Sequence, residues 1–270
     1  MAKQRLDALL VERGLCESRQ QAQRLIRAGE VRVAGTLVDK PGTAVPLEAL
    51  LEVKARSRFV SRGGEKLARA LEQFPIAVAG RVCLDAGIST GGFTDCLFQA
   101  GATRVYGVDV GYGQVDWKIR TDPRLVLRER TNLRHLTPTD LYPDGVPEPD
   151  LGVADVSFIS LTKILPALRA LLRSPRELVL LVKPQFEVGR EKVGKKGVVR
   201  EAKDHAAAIL QVLACAQGLG WQAQGLTWSA TPGPAGNIEY LLWLSEAAEV
   251  IALDEPTVLA IARQAQAELS

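Results

Sequence analysis

Residues 81–101 constrain the fold more than any other stretch, because they read as a strand, a tight turn and the start of a helix. The segment RVCLDAGISTGGFTDCLFQAG has an apolar run that ends in Asp85, three turn glycines and a helix closed by Gly101. Glycines let the backbone approach a ligand closely, and a helix start offers free N–H groups. The glycine spacing differs from that of dinucleotide-binding and triphosphate-binding loops. The stretch predicts a pocket for a nucleotide-like ligand, or else an ordinary strand-to-helix turn.

The next strand adds a ribose to this prediction. RVYGVDV ends near Asp109, about 20 residues after the first turn glycine, where a carboxylate can accept hydrogen bonds from two ribose hydroxyls. Strands and helices then alternate as in a doubly wound parallel sheet. The last two strands are separated only by the turn TPGPAGN and must be antiparallel, which predicts an α/β sheet that ends in a hairpin. Later strands are predicted at 125–128, 151–156, 177–182, 222–229 and 239–244, and helices near 161–172, 203–219 and 255–269.

The composition argues against membrane insertion and secretion. The chain has 270 residues and no apolar run near the ~20 residues that span a bilayer. Its first residues, MAKQRLDALLVERG, carry charges every few positions and contain no secretory signal. We therefore expect a cytoplasmic monomer that does not bind membranes. The four cysteines are scattered without a Cys-x-x-Cys pair, so we expect no metal site.

Positive charge is concentrated at the amino-terminal end. The net charge is +3, but residues 1–62 contain twelve Lys or Arg against seven Asp or Glu, which leaves 22 against 24 for the remainder. Ser18 with Gln21 predicts a capping box that opens the second of two helices. Short strands are predicted at 30–33, 36–38 and 50–53. The pattern predicts a compact module that binds a polyanion, or else a solvated basic face.

The second helix carries one polar and basic stripe. Arg19, Gln23 and Arg27 recur at every fourth position, with Arg24 beside them. The stretch LDALLVERGLCESRQQAQRLIRAGEVRVAGTLVDKPG resembles the S4 RNA-binding domain. This resemblance implies recognition of structured RNA, mostly through phosphates and shape. The expected RNA contacts in this module are Arg5, Arg19, Arg24 and Arg27.

A basic segment without helical periodicity follows. Residues 54–64, KARSRFVSRGG, end in paired glycines before a helix that is predicted to begin near Glu65. Arg58 and Arg62 of this segment are further candidates for RNA contact. We predict an α+β RNA-binding domain over residues 1–56, a linker over residues 57–64 that follows the basic Arg56, and a second domain over residues 65–270.

Polar residues stand where strands of the second domain end. Asp155 follows an apolar strand, and Lys183 directly continues the apolar run LVLLV. Burying an ammonium without a partner is costly, so Lys183 is either functional or extends from the strand end into water. Ligands of such sheets bind at the carboxyl ends of the strands. Glu239, at the head of the last strand, and Lys66, on the first helix of the domain, complete a possible cluster.

This cluster, beside the turn LDAGISTGGFTD, resembles the Lys-Asp-Lys-Glu tetrad of FtsJ-like 2′-O-ribose methyltransferases. The whole chain is similar to the TlyA family of haemolysin-named rRNA methyltransferases through SRGGEKL, LDAGISTGGFTD, VDVGYGQ, ERTNLR, DVSFISL, LVKPQFEVG and GPAGNIEY. The resemblance implies a Rossmann-like class I methyltransferase sheet that uses S-adenosylmethionine (SAM), and cytidines of 16S and 23S rRNA as substrates. Ile88 and Gly64 stand where the family often has alanine. Ile88 is expected to reshape the pocket slightly, and Gly64 to loosen the linker.

The resemblance also implies a chemistry. The catalytic residues would be Lys66, Asp155, Lys183 and Glu239. Lys183, with a second ammonium nearby, would accept the proton of the 2′-hydroxyl as a neutral amine, or would stay charged and only steer the oxygen. Asp155 and Glu239 would orient the two lysines.

Binding roles follow from the same resemblance. Asp85 would contact the amino group of SAM, Asp109 its ribose and Asn132 its adenine, whereas Phe93 is expected to be a core residue. Residues 185–200 are expected to form a mobile loop that closes on RNA. The full set expected at SAM is Asp85, Gly87, Ser89, Thr90, Gly91, Gly92, Asp109 and Asn132, and the loop residues expected at RNA are Arg190, Lys195 and Lys196.

Two other functions remain open at this point. One is a cytolysin, as the haemolysin name suggests, although the sequence contains no signal, membrane span or amphipathic membrane helix. The other is a non-catalytic RNA-binding factor in ribosome assembly, which the intact tetrad disfavours. A pseudouridine synthase is disfavoured because the RNA-binding module is followed by an α/β cofactor domain.

Overall fold

The protein divides into two compact units, Met1–Ser57 and Arg58–Ser270. The structure is a computed structural model that describes residues 2–54, 58–142, 145–246 and 251–269. Arg56 and Ser57, at the predicted boundary between domain and linker, lie outside the described residues.

The first unit is a small α+β module. Its elements are β1 (Lys3–Arg5), α1 (Leu6–Glu12), α2 (Arg19–Arg27), β2 (Val31–Val33), β3 (Thr36–Leu37), β4 (Ala44–Pro46) and β5 (Leu51–Val53). β1 pairs with β4, and the other strands form a sheet in the order β3-β2-β5. Ser18 caps α2 as predicted, since its Oγ accepts from the N–H of Gln21 at 3.2 Å, whereas the Gln21 side chain accepts from Glu17 N. Leu6, Leu10 and Ile26 are fully buried between these elements.

The second unit alternates strands and helices. Its strands are β6 (Val82–Ala86), β7 (Arg104–Val108), β8 (Leu125–Arg128), β9 (Leu151–Ala154), β10 (Glu177–Val182), β11 (Gln222–Trp228) and β12 (Tyr240–Ser245). Its helices are α3 (Arg62–Gln73), α4 (Gly92–Gln99), α5 (Trp117–Arg120), α6 (Pro138–Leu141), α7 (Leu165–Leu171), α8 (Pro184–Glu187), α9 (Ala202–Gly218) and α10 (Glu255–Leu269).

One seven-stranded sheet, ordered β11-β12-β10-β9-β6-β7-β8, organises this unit. β8, β7, β6, β9 and β10 are mutually parallel, whereas β12 is antiparallel to both β10 and β11. The predicted α/β class and the closing hairpin are confirmed. Because β12 runs opposite to β10, its first residue lies at the edge where the parallel strands end.

Helices cover both faces of the sheet. Neighbouring strand residues point to opposite faces, so Cys83 packs into one hydrophobic cluster and Leu84 into the other. The first cluster includes α3 and α4, and the second includes α7, α9 and α10. In the described part of the chain, no helix is long and apolar enough to cross a membrane.

Two boundaries differ from the predictions. Helix α3 begins at Arg62 rather than near Glu65, so Gly64 lies in its first turn and is buried. A Cβ at Gly64 would lie 2.2 Å from Cγ of Phe59, so this glycine admits the Phe59 ring and does not loosen a linker. Strand β9 ends at Ala154, which leaves Asp155 in the loop that follows.

Candidate active site

Strand register brings three of the four predicted catalytic residues to one edge of the sheet. Ala154 pairs with Leu180 across β9 and β10, and Val182 pairs with Tyr240 across β10 and β12. Asp155 and Lys183 therefore leave the ends of two adjacent strands, and Glu239 enters the next strand at the same edge. The antiparallel direction of β12 is what puts Glu239 there.

The fourth residue, Lys66, reaches this edge from helix α3. Its Nζ lies 2.5 Å from Oε2 of Glu239. Lys66 is 9% exposed and Glu239 is 1% exposed, so each charge has its counter-ion inside the protein. Gly233 makes room for this pair, because a Cβ there would lie 2.5 Å from Oε1 of Glu239.

Lys183 forms the second ion pair of the site. Its Nζ lies 2.6 Å from Oδ1 of Asp155 and donates to Oγ of Ser157 at 2.9 Å. The Lys183 side chain is buried, whereas that of Asp155 is 22% exposed, so the carboxylate of this pair is the part that faces solvent. Ser157 was not predicted, although it follows Asp155 by two positions in the DVSFIS motif. The four predicted catalytic residues thus form two lysine–carboxylate pairs.

The glycine turn between β6 and α4 is tightly packed at two positions. A Cβ at Gly87 would lie 2.5 Å from the carbonyl oxygen of Asp155, and one at Gly92 would lie 2.2 Å from Oγ of Ser61. Ser89 has a φ of 48°, in the left-handed region, and therefore holds strained backbone. The turn can sit this close to Asp155 only because its glycines lack side chains.

A cavity of about 510 Å³ opens beside this turn. Its wall includes Gly87, Ser89, Asp109, Asn132 and Asp155, so it joins predicted cofactor residues to a catalytic one. The size lies within the range of about 300–1,000 Å³ usual for cofactor sites. These residues fit SAM, because the backbone of the glycine turn, a carboxylate and an amide side chain lie side by side on the cavity wall. A second cavity shares Gly87, Ser89 and Asp155 and is also lined by Thr90, Gly92, Lys66 and Arg62.

Asp109 ties the turn to the loop after β7. Its Oδ2 accepts from the N–H of Ser89 at 2.8 Å and its Oδ1 from the N–H of Gly111 at 2.7 Å. Each carboxylate oxygen has a second lone pair, so these bonds leave capacity for ribose hydroxyls. Asn132 uses its Oδ1 to accept from Arg134 N at 3.1 Å, which orients the side chain at the cavity wall.

Two predicted cofactor residues lie behind the cavity wall. Asp85 is fully buried, accepts from the Thr94 hydroxyl at 2.6 Å, and has no hydrogen-bond partner for Oδ1 among the described residues. Burial raises the pKa of Asp85 to about 7, helped by the nearby charges of Asp155 and Asp109 and opposed by Thr94. Gly91 packs against Ile119 rather than lining either cavity.

Two apolar residues near the turn, Ile88 and Phe93, are both buried. Ile88 is 2% exposed and packs over Gly107, where a Cβ would lie 2.5 Å from Cδ1 of Ile88. Phe93 is 3% exposed and is a core residue, as predicted. Gly107 makes room for the bulk of Ile88, which also lines the second cavity together with Phe93. The expected change in pocket shape stays a prediction.

Phe158 is a site residue that the sequence did not reveal. It is 91% exposed, lines the larger cavity and has a φ of 64°, which is unfavourable for a residue with a large side chain. Its ring centroid lies 5.2 Å from that of Phe186. An exposed aromatic ring held in a strained conformation beside the active site is a reason to assign it a function.

The predicted RNA-binding residues lie at the surfaces of both units. Arg24, Arg27, Arg62, Arg190, Lys195 and Lys196 are exposed. Arg58 is exposed too, and its guanidinium lies 4.9 Å from the centroid of the Phe59 ring. Arg5 and Arg19 are half-exposed, and both form ion pairs with the buried Asp7.

The loop over residues 185–200 is more ordered than predicted at its carboxyl end. The buried Asn237 accepts from Val199 N at 3.0 Å and donates to the Gly197 carbonyl at 2.7 Å. The His205 ring is 2.9 Å from the Val199 carbonyl oxygen. These contacts anchor the loop to the turn before β12, so the expectation of a mobile loop is revised for this part.

Two family models match the chain, one in each unit. A model described as FtsJ-like methyltransferase matches residues 59–246, and a model of the S4 domain matches residues 4–51. The 16S/23S rRNA (cytidine-2′-O)-methyltransferase TlyA of Mycobacterium tuberculosis is 53% identical over 242 residues, which covers 89% of this chain and 89% of that protein. Hemolysin A of Brachyspira hyodysenteriae is 40% identical over 241 residues and covers 88% of this chain and 98% of its own length.

A solved structure supports the same relationship. The structure of a Streptococcus thermophilus protein named as a hemolysin superposes with a TM-score of 0.75 at 41% identity, and the match covers 99% of this chain and 97% of that one. The chain therefore belongs to the FtsJ-like, SAM-dependent methyltransferases, within the TlyA family that joins them to an S4 domain.

Proposed function

We propose that this chain methylates the ribose 2′-hydroxyl of cytidines in 16S and 23S rRNA. The observation that carries the proposal is the pair of lysine–carboxylate contacts, Lys66 with Glu239 and Lys183 with Asp155, beside a cavity that fits SAM. The substrate class comes from the TlyA relative, whose name specifies both rRNAs and the cytidine 2′-oxygen. A second relative from Campylobacter jejuni carries the same chemistry in its name for 23S rRNA alone.

SAM, when bound, supplies a methyl group on a positively charged sulfur. Lys183 is the residue best placed to hold the attacking hydroxyl, because its Nζ is only partly surrounded by Asp155 and Ser157. In one account Lys183 passes a proton to Asp155 and then accepts the hydroxyl proton. In the other account Lys183 stays charged, donates to the hydroxyl oxygen and fixes its direction of attack.

Lys66 and Glu239 have a supporting role in this proposal. Their buried pair keeps a second positive charge at the sheet edge without placing it in direct contact with the methyl acceptor. Glu239 also anchors the hairpin end, because its carbonyl oxygen accepts from Ser229 N at 2.9 Å.

Asp109, Asn132 and the turn backbone at Gly87 and Ser89 are proposed to bind SAM, with Asp109 at the ribose and Asn132 at the adenine. Thr90 and Gly92 lie on the wall of the second cavity, on the side of Lys66. Phe158 is proposed to stack on the base of the target nucleotide, since aromatic side chains stack on any base that leaves its helix. This stacking would bring the ribose towards Lys183.

Residues 1–56 are proposed to carry the main RNA contacts, through the basic face of α2, and residues 65–270 to carry the chemistry. Arg58 and Arg62 in the segment 57–64, with Arg190, Lys195 and Lys196, would extend the basic surface around the site. We also propose that the chain acts on ribosomal subunits in the cytoplasm, and that it acts as a monomer.

The test is methylation of ribosomal subunits with labelled SAM. Subunits from a strain without the enzyme are incubated with the full chain, and the labelled nucleotide is mapped. We expect 2′-O-methylcytidine with the wild type and none with Lys183→Ala. Absence of label with the wild type would overturn the function, and equal label with Lys183→Ala would overturn the catalytic role of that residue.

A further inference from the structure

The first unit contains a buried carboxylate that the methylation chemistry does not use. Asp7, in the first turn of α1, has no exposed surface. Arg5 donates to it through Nε and Nη2 at 3.1 and 2.9 Å, and Arg19 through the same two atoms at 3.2 and 3.5 Å. Gln23 adds a hydrogen bond at 2.8 Å. Three side chains from two elements therefore converge on one carboxylate.

Asp7 and the two arginines that bind it differ in burial. The Asp7 side chain is 0% exposed, whereas those of Arg5 and Arg19 are 52% and 55% exposed. The arginines thus cover the carboxylate and still face solvent. The hydrogen bond from Arg5, with those from Gln23 and Arg19, holds the pKa of Asp7 well below its usual range, so the carboxylate stays ionised.

The guanidinium N–H groups that do not bind Asp7 determine what Arg5 and Arg19 can bind together. In the described part of the chain, neither Arg5 nor Arg19 donates a hydrogen bond from Nη1. Two guanidiniums that are already fixed lose little side-chain entropy on binding, and guanidinium is well matched to a phosphate. Free arginines would have to lose that entropy when the complex forms.

A glycine on the neighbouring loop completes the arrangement. A Cβ at Gly42 would lie 3.1 Å from Nη1 of Arg5, and the three atoms nearest to it all belong to that guanidinium. The backbone φ of Gly42 lies outside the left-handed region, so its backbone conformation does not require glycine. The lack of a side chain instead leaves room for the guanidinium of Arg5.

We propose that Asp7 is a positioning residue for RNA binding, which holds Arg5 and Arg19 as one pre-formed pair of guanidiniums for a backbone phosphate of structured RNA. The proposal rests on the RNA substrate proposed above. It treats an acidic residue as necessary for binding a polyanion, which is the opposite of what net charge predicts.

Positioning and net charge predict opposite changes in RNA affinity when Asp7 loses its charge, so the direction of that change decides between them. Asp7→Asn keeps the shape of the side chain and raises the net charge by one. If charge alone governed binding, this variant would bind RNA more tightly. With positioning, we expect the affinity of the full chain for unmodified ribosomal subunits to fall by about tenfold. KM for subunits should rise by a similar factor while kcat and the affinity for SAM stay within about twofold.

Glu17→Gln is the matched control, because it adds the same charge beside α2 at an exposed position. We expect its subunit affinity to be equal to or above that of the wild type. Gly42→Val is the second variant. It disturbs Arg5 without any charge change and should weaken subunit binding by about threefold or more, which keeps the proposal testable if Asp7→Asn does not fold.

Failure of the positioning role and failure of the proposed function give different results. A folded Asp7→Asn or Gly42→Val that binds subunits as tightly as the wild type would overturn the positioning role. A wild type that methylates no rRNA would instead overturn the proposed function. Folding of each variant is checked by circular dichroism of the full chain, and the salt dependence of binding should become less steep in Asp7→Asn because a phosphate contact is lost.

Discussion

Lys66 and Glu239 lie 173 positions apart in the sequence, and their Nζ and Oε2 atoms are 2.5 Å apart in a buried part of the fold. Breaking a buried pair leaves one uncompensated charge, which costs about 3–5 kcal/mol. We therefore expect Glu239→Ala to lower the free energy of unfolding of the second unit by about that amount. All four tryptophans belong to this unit, so urea unfolding followed by tryptophan fluorescence measures it selectively.

The double variant Lys66→Met/Glu239→Leu separates stability from activity. Replacing a buried ion pair by apolar residues is often neutral for stability. We expect the urea midpoint to recover most of the loss caused by Glu239→Ala, while methylation remains abolished. Recovery of methylation in the double variant would show that the two charges serve only the fold.

Lys183 and Ser157 should differ in how much they contribute to the rate. Lys183→Ala removes the group next to the attacking oxygen, and we expect kcat to fall by about 10²–10⁴. Ser157→Ala removes one hydrogen bond to Lys183 and should lower kcat by about tenfold. Single-turnover rates at saturating SAM and subunits measure both, and SAM affinity by calorimetry should stay unchanged.

Lys183→Arg discriminates between the two accounts of Lys183. A proton acceptor must first release its own proton, whereas a group that only steers the oxygen keeps its charge. A guanidinium stays charged, so Lys183→Arg should retain part of the single-turnover rate in the steering account only. A rate as low as that of Lys183→Ala would contradict steering.

Phe158 should be needed for RNA and not for the fold. Its ring is 91% exposed, so Phe158→Ala removes almost no buried surface. Loss of stacking costs about 1–3 kcal/mol, so KM for subunits should rise by about tenfold. Phe158→Tyr keeps a ring and should behave like the wild type, while Phe158→Gly should unfold at a higher urea concentration because glycine relieves the φ of 64°.

Gly92 should not tolerate alanine. The added Cβ would lie 2.2 Å from Oγ of Ser61 and 2.8 Å from the backbone nitrogen of Gly64, which a side-chain rotation cannot relieve in full. Overpacking of this kind costs about 1–3 kcal/mol and displaces the turn, so SAM affinity should fall as well. Gly218→Ala is the control, since nothing lies within 4 Å of its Cβ position. Equal urea midpoints for the two variants would contradict the tight packing.

Asp85 should make the second unit less stable as pH rises. Its pKa is about 7 in the folded state, above the value of about 3.9 expected when unfolded, so the folded state binds the extra proton. The free energy of unfolding should therefore fall between about pH 4 and pH 7 by roughly 2–4 kcal/mol relative to Asp85→Asn. Urea titrations of both proteins at pH 4.5, 6 and 8 follow this difference. If the difference in the free energy of unfolding between the two proteins is the same at all three pH values, the pKa of Asp85 is not raised in the folded state.

The members of the proposed catalytic cluster could be selected from local patterns, and their catalytic roles stay predictions. Lys183 stands out because it continues an apolar strand, and Asp155 because it follows another. The α/β class followed from the alternation of strands and helices, and the hairpin from the shortness of TPGPAGN. By contrast, the three-residue strands β1 and β4 show no alternation long enough to detect.

Residues whose roles depend on burial or on an unusual backbone conformation could not be predicted. Asp7 looked like an ordinary acidic residue at the start of a helix, and only its burial under Arg5 and Arg19 gives it a role. Phe158 is apolar in the sequence, and its exposure depends on a backbone conformation that the pattern does not encode. Asp85 was expected at the cofactor, and its full burial could not be foreseen because burial is decided by what packs over a strand end. Its contact with SAM stays a prediction.

The sequence by itself determined the family, the order of strands and helices, and the residue types available for methyl transfer, because these depend on local periodicity and on motifs. Only the tertiary structure decided which groups meet. The register between β10 and β12 places Glu239 at the strand ends, where Lys66 from α3 pairs with it and Lys183 pairs with Asp155. Charges are stabilised inside a protein only by partners within a few ångströms, and those distances follow from packing.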